Sequence, residues 1–126
     1  MATRIAISTK LQEMVKKYAS TPALFFPPED DSSLVRLVDE FIEIREGVRG
    51  GKAIIKGTRI AVCDIIADTW SLGNSPNFFR KQYVPLLDPR AIDAAYAFML
   101  LQPEKAKKDY EDCFSYLSFP KDLYAQ

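Results

Sequence analysis

The sequence predicts a mainly α protein with a three-helix, helix-turn-helix core of the homeodomain-like kind. A short β-hairpin is expected before this core, and extra helices are expected at both ends. Two observations carry the prediction. Apolar residues recur at the 3.6-residue spacing of amphipathic helices in several separate segments of the 126-residue chain. A glycine-rich stretch joins two short alternating segments around residues 42–56, which is typical of paired antiparallel strands.

Residues 1–40 are predicted to form an N-terminal helical arm. Ser8 is a favourable N-cap for a helix over about 9–19. The apolar face of this helix comprises Leu11, Met14, Val15 and Tyr18. A second short helix follows the acidic turn 29–33 and carries Leu34, Val35, Val38 and Phe41. The proline- and aspartate-rich stretch 27–31 interrupts helix formation and is the candidate boundary between the arm and the main domain.

Residues 41–101 are predicted to form the main domain, a hairpin followed by the helix-turn-helix unit. The first helix of this unit begins near Ile60 and ends at Gly73, a favourable C-cap. The second begins at Ser75-Pro76 and the third at Asp88-Pro89, each with a capping side chain before a proline. Gln102-Pro103 ends the third helix. Residues 102–126 are then expected to form a C-terminal helix that packs on the domain or on a partner.

Composition argues against catalysis. The chain has no histidine, which removes the commonest general base and the commonest metal ligand. Its two cysteines, Cys63 and Cys113, lie fifty residues apart in apolar helical patterns and are interpreted as free core thiols. We therefore expect a cytoplasmic protein that is not an enzyme and has no cofactor and no metal site. No apolar run is long enough to span a membrane, and no secretory signal is evident.

Charge is distributed unevenly although the net charge is zero. Residues 45–90 carry eight lysines or arginines against four acidic residues, whereas both flanking segments are acidic. These cations are the candidate nucleic-acid contacts: Arg45, Arg49, Lys52, Lys56, Arg59, Arg80, Lys81 and Arg90. Two interpretations of the hairpin segment remain open. Its glycines and lysines could approach phosphate groups, or the glycines could simply form a tight turn whose lysines are solvated.

Other residues allow similar alternatives. Arg59 could contact phosphate, or it could instead pair with a carboxylate such as Asp64 or Asp68 and fix the hairpin against the first helix. The third helix is expected to turn Arg90, Asp93, Ala94 and Ala97 outward. These side chains offer few hydrogen-bonding groups for recognising base edges, and the alanines suit a close helix–helix contact equally well. The aromatic residues Trp70, Phe78, Phe79 and Tyr83 are interpreted as core or interface residues.

Apolar stripes in both terminal helices favour a homodimer or a contact with another protein. The residues predicted for this interface are Leu11, Met14, Val15, Tyr18, Tyr110, Phe114 and Leu117.

Several motifs resemble a known family, the domain of unknown function 433. The resemblance covers about residues 41–101 and begins with Gly51-Lys52, Gly57-Thr58-Arg59-Ile60 and Gly73-Asn74-Ser75-Pro76. It continues through Tyr83-Val84-Pro85-Leu86 and Ile92-Asp93-Ala94-Ala95. Members are similar to small helix-turn-helix proteins and are predicted antitoxins, often encoded beside a PIN-like nuclease. Ala53 and Ala61 stand where the family usually has proline, and the middle helix is basic rather than acidic.

Two functions follow from these patterns. The first is a DNA-binding regulatory protein resembling a type II antitoxin, which would bind duplex DNA and neutralise a PIN-like nuclease toxin. The alternative is a protein-interaction or dimerisation module of the same fold that does not bind DNA. The basic segment 45–90 favours the first, and the zero net charge favours the second.

Overall fold

The computed structural model describes residues 9–24, 31–71, 75, 81–82 and 87–114. Two helices come first, α1 (Thr9–Tyr18) and α2 (Ser32–Phe41), and a 3-10 turn, Pro22–Leu24, lies between them. The hairpin follows as β1 (Ile42–Ile44), a 3-10 turn at Arg49–Gly51, and β2 (Ala53–Ile55). Three further helices are α3 (Val62–Ile66), α4 (Pro89–Leu101) and α5 (Pro103–Cys113). The predicted mainly α fold with a short hairpin is confirmed.

Part of the predicted helix-turn-helix unit lies outside the described residues. Within the middle helix, residues 81 and 82 are helical, while residues 76–80 and the connection 83–86 are outside the description. The same holds for Phe78, Phe79 and Tyr83 and for the chain after Phe114. The side chain of Trp70 is also outside it.

Helix α2 begins within the predicted acidic turn and buries one face against α4. Leu34 and Leu37 are fully or nearly fully buried and form the centre of that face. The sequence pattern had listed Val35 among the apolar residues of this helix, but Val35 is 44% exposed. Its position one residue beyond Leu34 turns it about 100° away from the core, because helical residues three or four apart share a face.

The hairpin is a two-stranded antiparallel sheet in which Ile42 pairs with Ile55 and Ile44 with Ala53. All three residues of β2 are buried. On its other side, Ile54 pairs with Ala61 in an isolated bridge, so β2 is the central strand of this small unit. Gly47, Gly50, Gly51 and Gly57 have positive φ angles, which glycine adopts without steric strain.

Helix α3 changes its winding after one turn. Its α-helical part ends at Ile66, and residues Ala67–Ser71 continue as a π-helical turn. The predicted helix near Ile60 therefore exists but begins at Val62. The Asp64 carboxylate accepts a hydrogen bond from the Ala61 N–H at 2.9 Å, which satisfies one free donor at the start of the helix.

Helix α4 is the central element of the fold. Asp88 caps it by accepting the Arg90 N–H at 2.9 Å, and Pro89 occupies its first turn, so the predicted cap and proline are confirmed. Every residue from Ala91 to Leu100 is buried, and α2, α3 and α5 all pack against the helix. The expectation that Asp93, Ala94 and Ala97 face outward was wrong, since each has no exposed surface.

Residues from the predicted N-terminal arm contribute to the same apolar core. Val15 of α1, Leu24 of the following turn and Leu34 of α2 are buried together with α3 and α4. The carboxylate of Asp93 also accepts the Ser20 N–H at 2.8 Å, which ties the chain after α1 to α4. The core therefore contains residues from both the predicted N-terminal arm (1–40) and the predicted main domain (41–101). No helix in the described part of the chain could cross a membrane.

Candidate functional site

The hairpin turn is fixed to the helices by Arg49. The guanidinium donates from Nη1 to Oδ2 of Asp64 at 2.7 Å and from Nη2 to Oδ1 at 3.0 Å, a bidentate pairing. It also donates to the backbone carbonyl of Arg59 at 2.8 Å and to Sγ of Cys113 at 3.3 Å. One side chain therefore connects the turn, the segment before α3, α3 itself and the end of α5.

This arrangement revises the role expected for two arginines. Arg59 had been considered as the partner of Asp64 or Asp68, but Arg49 forms the pair with Asp64, while Arg59 contributes only its carbonyl and remains exposed. Hydrogen bonding to Asp64 is the main cause of an increase in the pKa of Arg49. Arg49 adopts a left-handed backbone with φ of 50°, which costs a non-glycine residue about 1–2 kcal/mol.

Two cysteines distant in sequence meet beside this pair. One ligand atom each from Cys63, Asp64 and Cys113 lies within 4.8 Å of the other two. Cys63 is buried and Cys113 is half-buried, and both are free thiols. Burial, followed by the negative charge of Asp64, raises the pKa of Cys63. The two cysteines had been interpreted as free core thiols, and the packing of α3 on α5 brings them together.

The set of two sulfurs and one carboxylate could in principle hold a soft cation, yet its surroundings oppose this. Arg49 already donates hydrogen bonds to both Asp64 and Cys113. A bound metal ion would have to displace this guanidinium or lie next to its positive charge.

A second link between the hairpin and α5 is formed by Lys105 and Asp109. The buried Asp109 carboxylate accepts the Ala53 N–H at 3.0 Å and the Lys105 ammonium at 2.9 Å. Lys105 also donates to the Gly51 carbonyl at 3.0 Å. Sequence reasoning missed both residues, although their spacing of four on an amphipathic helix is a recognisable ion-pair signal.

The other predicted nucleic-acid contacts are dispersed. The hairpin register places Arg45 and Lys52 at the turn end of the strands and Lys56 at the opposite end. Lys52 and Lys56 donate to the carbonyls of Arg49 and Asp39, respectively. Arg45 and Arg59 are exposed, and so is Lys81, while Arg80 lies outside the described residues.

Arg90 is used within the chain. It pairs with Asp88 at 3.1 Å and with Glu40 at 3.5 Å, and its guanidinium lies 5.0 Å from the ring centroid of Phe41. These contacts join the start of α4 to the end of α2. Its charge is therefore balanced by neighbouring acids rather than directed to a separate basic surface.

The predicted interface residues separate into three groups. Val15 and Tyr110 are buried in the chain's own core and cannot reach a partner without opening it. Tyr18 and Phe114 are half-buried, and the Phe114 ring lies 5.2 Å from that of Tyr110. The side chains of Leu11 and Met14, as well as Leu117, lie outside the described residues.

Two large apolar side chains are instead exposed on adjoining elements. Ile44, at the end of β1, is 57% exposed, and Val35 lies on the outer face of α2. Arg45 follows Ile44 directly and is also exposed. Single exposed apolar residues are common on protein surfaces, so Ile44 and Val35 mark candidate contact positions on two consecutive elements rather than a continuous apolar patch.

The fold and these contacts define a small helical domain whose hairpin is joined to α3 and α5 by side-chain hydrogen bonds. Residues 42–99 match the sequence model of the family described as protein of unknown function (DUF433). The resemblance derived from the motifs is thereby confirmed. The chain is also similar to the crystal structure of a DUF433 member protein from Anabaena variabilis, with 24% sequence identity and a TM-score of 0.48. That similarity covers 81% of this chain and 94% of the other. No curated protein gives a significant match.

Proposed function

We propose that this chain is a regulatory binding protein of the antitoxin kind, which contacts a partner protein through β1 and the outer face of α2. The family resemblance implies a PIN-like nuclease as that partner. The observation that carries the proposal is the burial of α4 on all sides. A helix that reads DNA must lie exposed in the major groove, and α4 would have to leave the core to do so.

The distribution of charge supports a protein partner over DNA. Arg49 and Arg90 are engaged by carboxylates of the same chain, and Lys52 and Lys56 bind backbone carbonyls. Acidic residues such as Glu46 are exposed on the hairpin beside the basic ones. Such a mixed surface is typical of protein contacts, whereas DNA binding requires many phosphate contacts from a continuous basic surface.

A cytoplasmic location and self-association are parts of the same proposal. Antitoxins act in the cytoplasm, and two free thiols at close range suit a reducing compartment. Ile44 and Val35 could also be covered by a second copy of the chain in the absence of the nuclease. Sedimentation of the purified chain would then show a dimer.

If a PIN-like nuclease is encoded beside this chain, the direct test is co-expression of the two proteins. We expect a stable complex in which nuclease activity is lost. Replacing Ile44 with glutamate should weaken the complex by about tenfold or more, because it places a charge in the buried contact. Lys107→Glu, which puts the same side chain on an exposed site of α5, is the matched control and should change affinity less than about twofold.

Equal affinities for Ile44→Glu and the control would contradict this placement of the contact surface. The absence of a neighbouring PIN-like nuclease gene would contradict the antitoxin role itself.

A second candidate, binding of duplex DNA by the hairpin alone, is favoured by one observation. Arg45 and Arg59 are exposed, and neither guanidinium forms an ion pair within the described residues. Two phosphate contacts would give weak, salt-sensitive binding without sequence preference. Fluorescence anisotropy with a labelled duplex at low and at moderate salt tests this, with the double variant Arg45→Ala, Arg59→Ala as the comparison. Binding that is negligible at low salt would eliminate this candidate.

A further inference from the structure

Cys63 and Cys113 form a pair placed for a reaction that the proposed binding function does not use. Their sulfurs lie within 4.8 Å of each other, on two helices that pack together. A disulfide requires the sulfurs to approach to about 2.05 Å. Cys113 is the last residue of α5, and the final turn of a helix can adjust at low cost because its terminal backbone groups lack helical partners.

We propose that Cys63 and Cys113 are a reversible oxidation site that forms an intrachain disulfide on reaction with a hydroperoxide. The disulfide would fasten the end of α5 to the start of α3. This modification is independent of whether the chain binds a nuclease or DNA.

The two thiols have different environments, and these assign the order of reaction. Cys113 is half-buried, whereas Cys63 has only 1% of its surface exposed. An oxidant therefore reaches Cys113 first. Arg49 donates a hydrogen bond to Sγ of Cys113, which orients the sulfur and offsets negative charge that it carries during attack. Cys63, which is shielded from the oxidant, is then the resolving thiol.

Hydrogen peroxide oxidises the two thiols in two steps. The sulfur of Cys113 attacks one peroxide oxygen, the O–O bond breaks, and Cys113 becomes a sulfenic acid while the other oxygen leaves as water after protonation. The sulfur of Cys63 then attacks Sγ of Cys113, the S–O bond breaks, and a second water leaves with the Cys63 proton. Two thiols are oxidised and one peroxide is reduced to two waters. A dithiol reductant reverses the disulfide.

Mass spectrometry of the full-length chain treated with excess hydrogen peroxide tests the proposal. We expect a monomer that has lost two hydrogens, a crosslinked peptide containing both cysteines, and recovery of both thiols with dithiothreitol. Thermal denaturation should show an increase in Tm of about 10 °C on oxidation, because the crosslink closes a long loop of the unfolded chain. Two intact thiols, a stable sulfenic acid on Cys113 or a disulfide between two chains would each overturn the proposal.

Variants separate the roles of the neighbouring groups. With Cys63→Ala, oxidation should stop at a sulfenic acid on Cys113 that dimedone traps, and a circular dichroism spectrum confirms that the variant is folded. Arg49→Gln should slow disulfide formation about tenfold. Asp64→Asn is its matched control, since it weakens the same ion pair but retains the Arg49 contact to Cys113. If both variants slowed disulfide formation equally, the positioning role of Arg49 would be overturned. The slowing would then come only from the reduced stability of the fold.

Discussion

Arg49 and Asp64 meet through two parallel hydrogen bonds, of 2.7 and 3.0 Å, although they lie fifteen residues apart in the chain. About three quarters of each side chain is covered by protein. Asp64 also accepts the Ala61 N–H, so the same carboxylate supports the start of α3 and the hairpin turn. This pair fixes the position of the hairpin more directly than the two short strands do, because a three-residue ladder has only a few hydrogen bonds.

Replacing Arg49 with alanine should therefore lower the free energy of unfolding by about 2 kcal/mol. The change leaves a partly buried carboxylate without its bidentate partner. Urea denaturation measures the loss, and a double-mutant cycle with Asp64→Ala should give a coupling energy of about 1–2 kcal/mol. Arg45→Ala, at an exposed site of the same hairpin, should change stability by less than about 0.5 kcal/mol. A coupling energy near zero would show that the two residues do not stabilise the fold as a pair.

Substitution of Asp109 should lower the free energy of unfolding more than substitution of Arg49. Alanine at this position leaves the buried Ala53 N–H unsatisfied and removes the partner of Lys105, for a loss of about 2–4 kcal/mol in unfolding free energy. Asparagine keeps an acceptor for Ala53 but loses the ion pair, so Asp109→Asn should cost about half as much. Glu111→Ala, on the exposed side of α5, is the control. Similar losses for the asparagine and alanine variants would mean that the charge, and not the acceptor, stabilises the hairpin.

Local patterns predicted most of the elements of this fold. The cap and proline at Asp88-Pro89, the break at Gln102-Pro103 and the extent of α1 each depend on residues within a few positions of one another. The apolar spacing in this segment also predicted that α2 is a helix, but it did not determine which face of the helix is buried. Leu34 and Leu37 are buried whereas Val35 is exposed. The apolar spacing fits a helical stripe through Leu37 as well as one through Val35.

Long-range contacts explain what the sequence did not reveal. The burial of Asp93 depends on the chain after α1 lying against α4, where Ser20 supplies a hydrogen-bond donor. An acidic residue such as Asp93, between Ile92 and Ala94, otherwise resembles a solvated position, since buried acids need partners that composition alone does not identify. The meeting of Cys63 with Cys113 likewise depends on how α5 returns to α3. Among the candidate cations that the structure describes, four are engaged by groups of the same chain: Arg49, Lys52, Lys56 and Arg90.

The cap of α4 should depend on pH. Hydrogen bonding to the Arg90 side chain, and then to its backbone N–H, lowers the pKa of Asp88 below its ordinary value of 3.8. A lowered pKa in the folded state means that the ionised cap stabilises the protein above that value and loses this effect as the pH falls through the folded pKa. NMR titration of the Asp88 carboxyl group measures the shift directly. A pKa at or above 3.8 would contradict it.

Variants of the same cap separate hydrogen bonding from charge. Asp88→Ala should lower the unfolding free energy by about 1 kcal/mol at neutral pH, and the difference from the unmodified chain should shrink in acid. Asp88→Asn retains a capping oxygen and should cost less than alanine. If Asp88→Ala lowered the unfolding free energy equally at neutral and acidic pH, the charge of Asp88 would contribute nothing to stability.

Enlarging the alanines of α4 provides the clearest test of its position. Ala94 and Ala97 have no exposed surface, and neighbouring helices pack closely around them. Ala97→Leu should therefore lower the free energy of unfolding by about 1–3 kcal/mol, since a larger side chain displaces well-packed neighbours. On a helix exposed to solvent, as a DNA-reading helix would be, the same change would be close to neutral. Urea denaturation of Ala97→Leu, with Lys107→Leu on the exposed face of α5 as the control, distinguishes these cases. Equal stability of the two variants would place α4 at the surface and restore it as a candidate for recognising DNA.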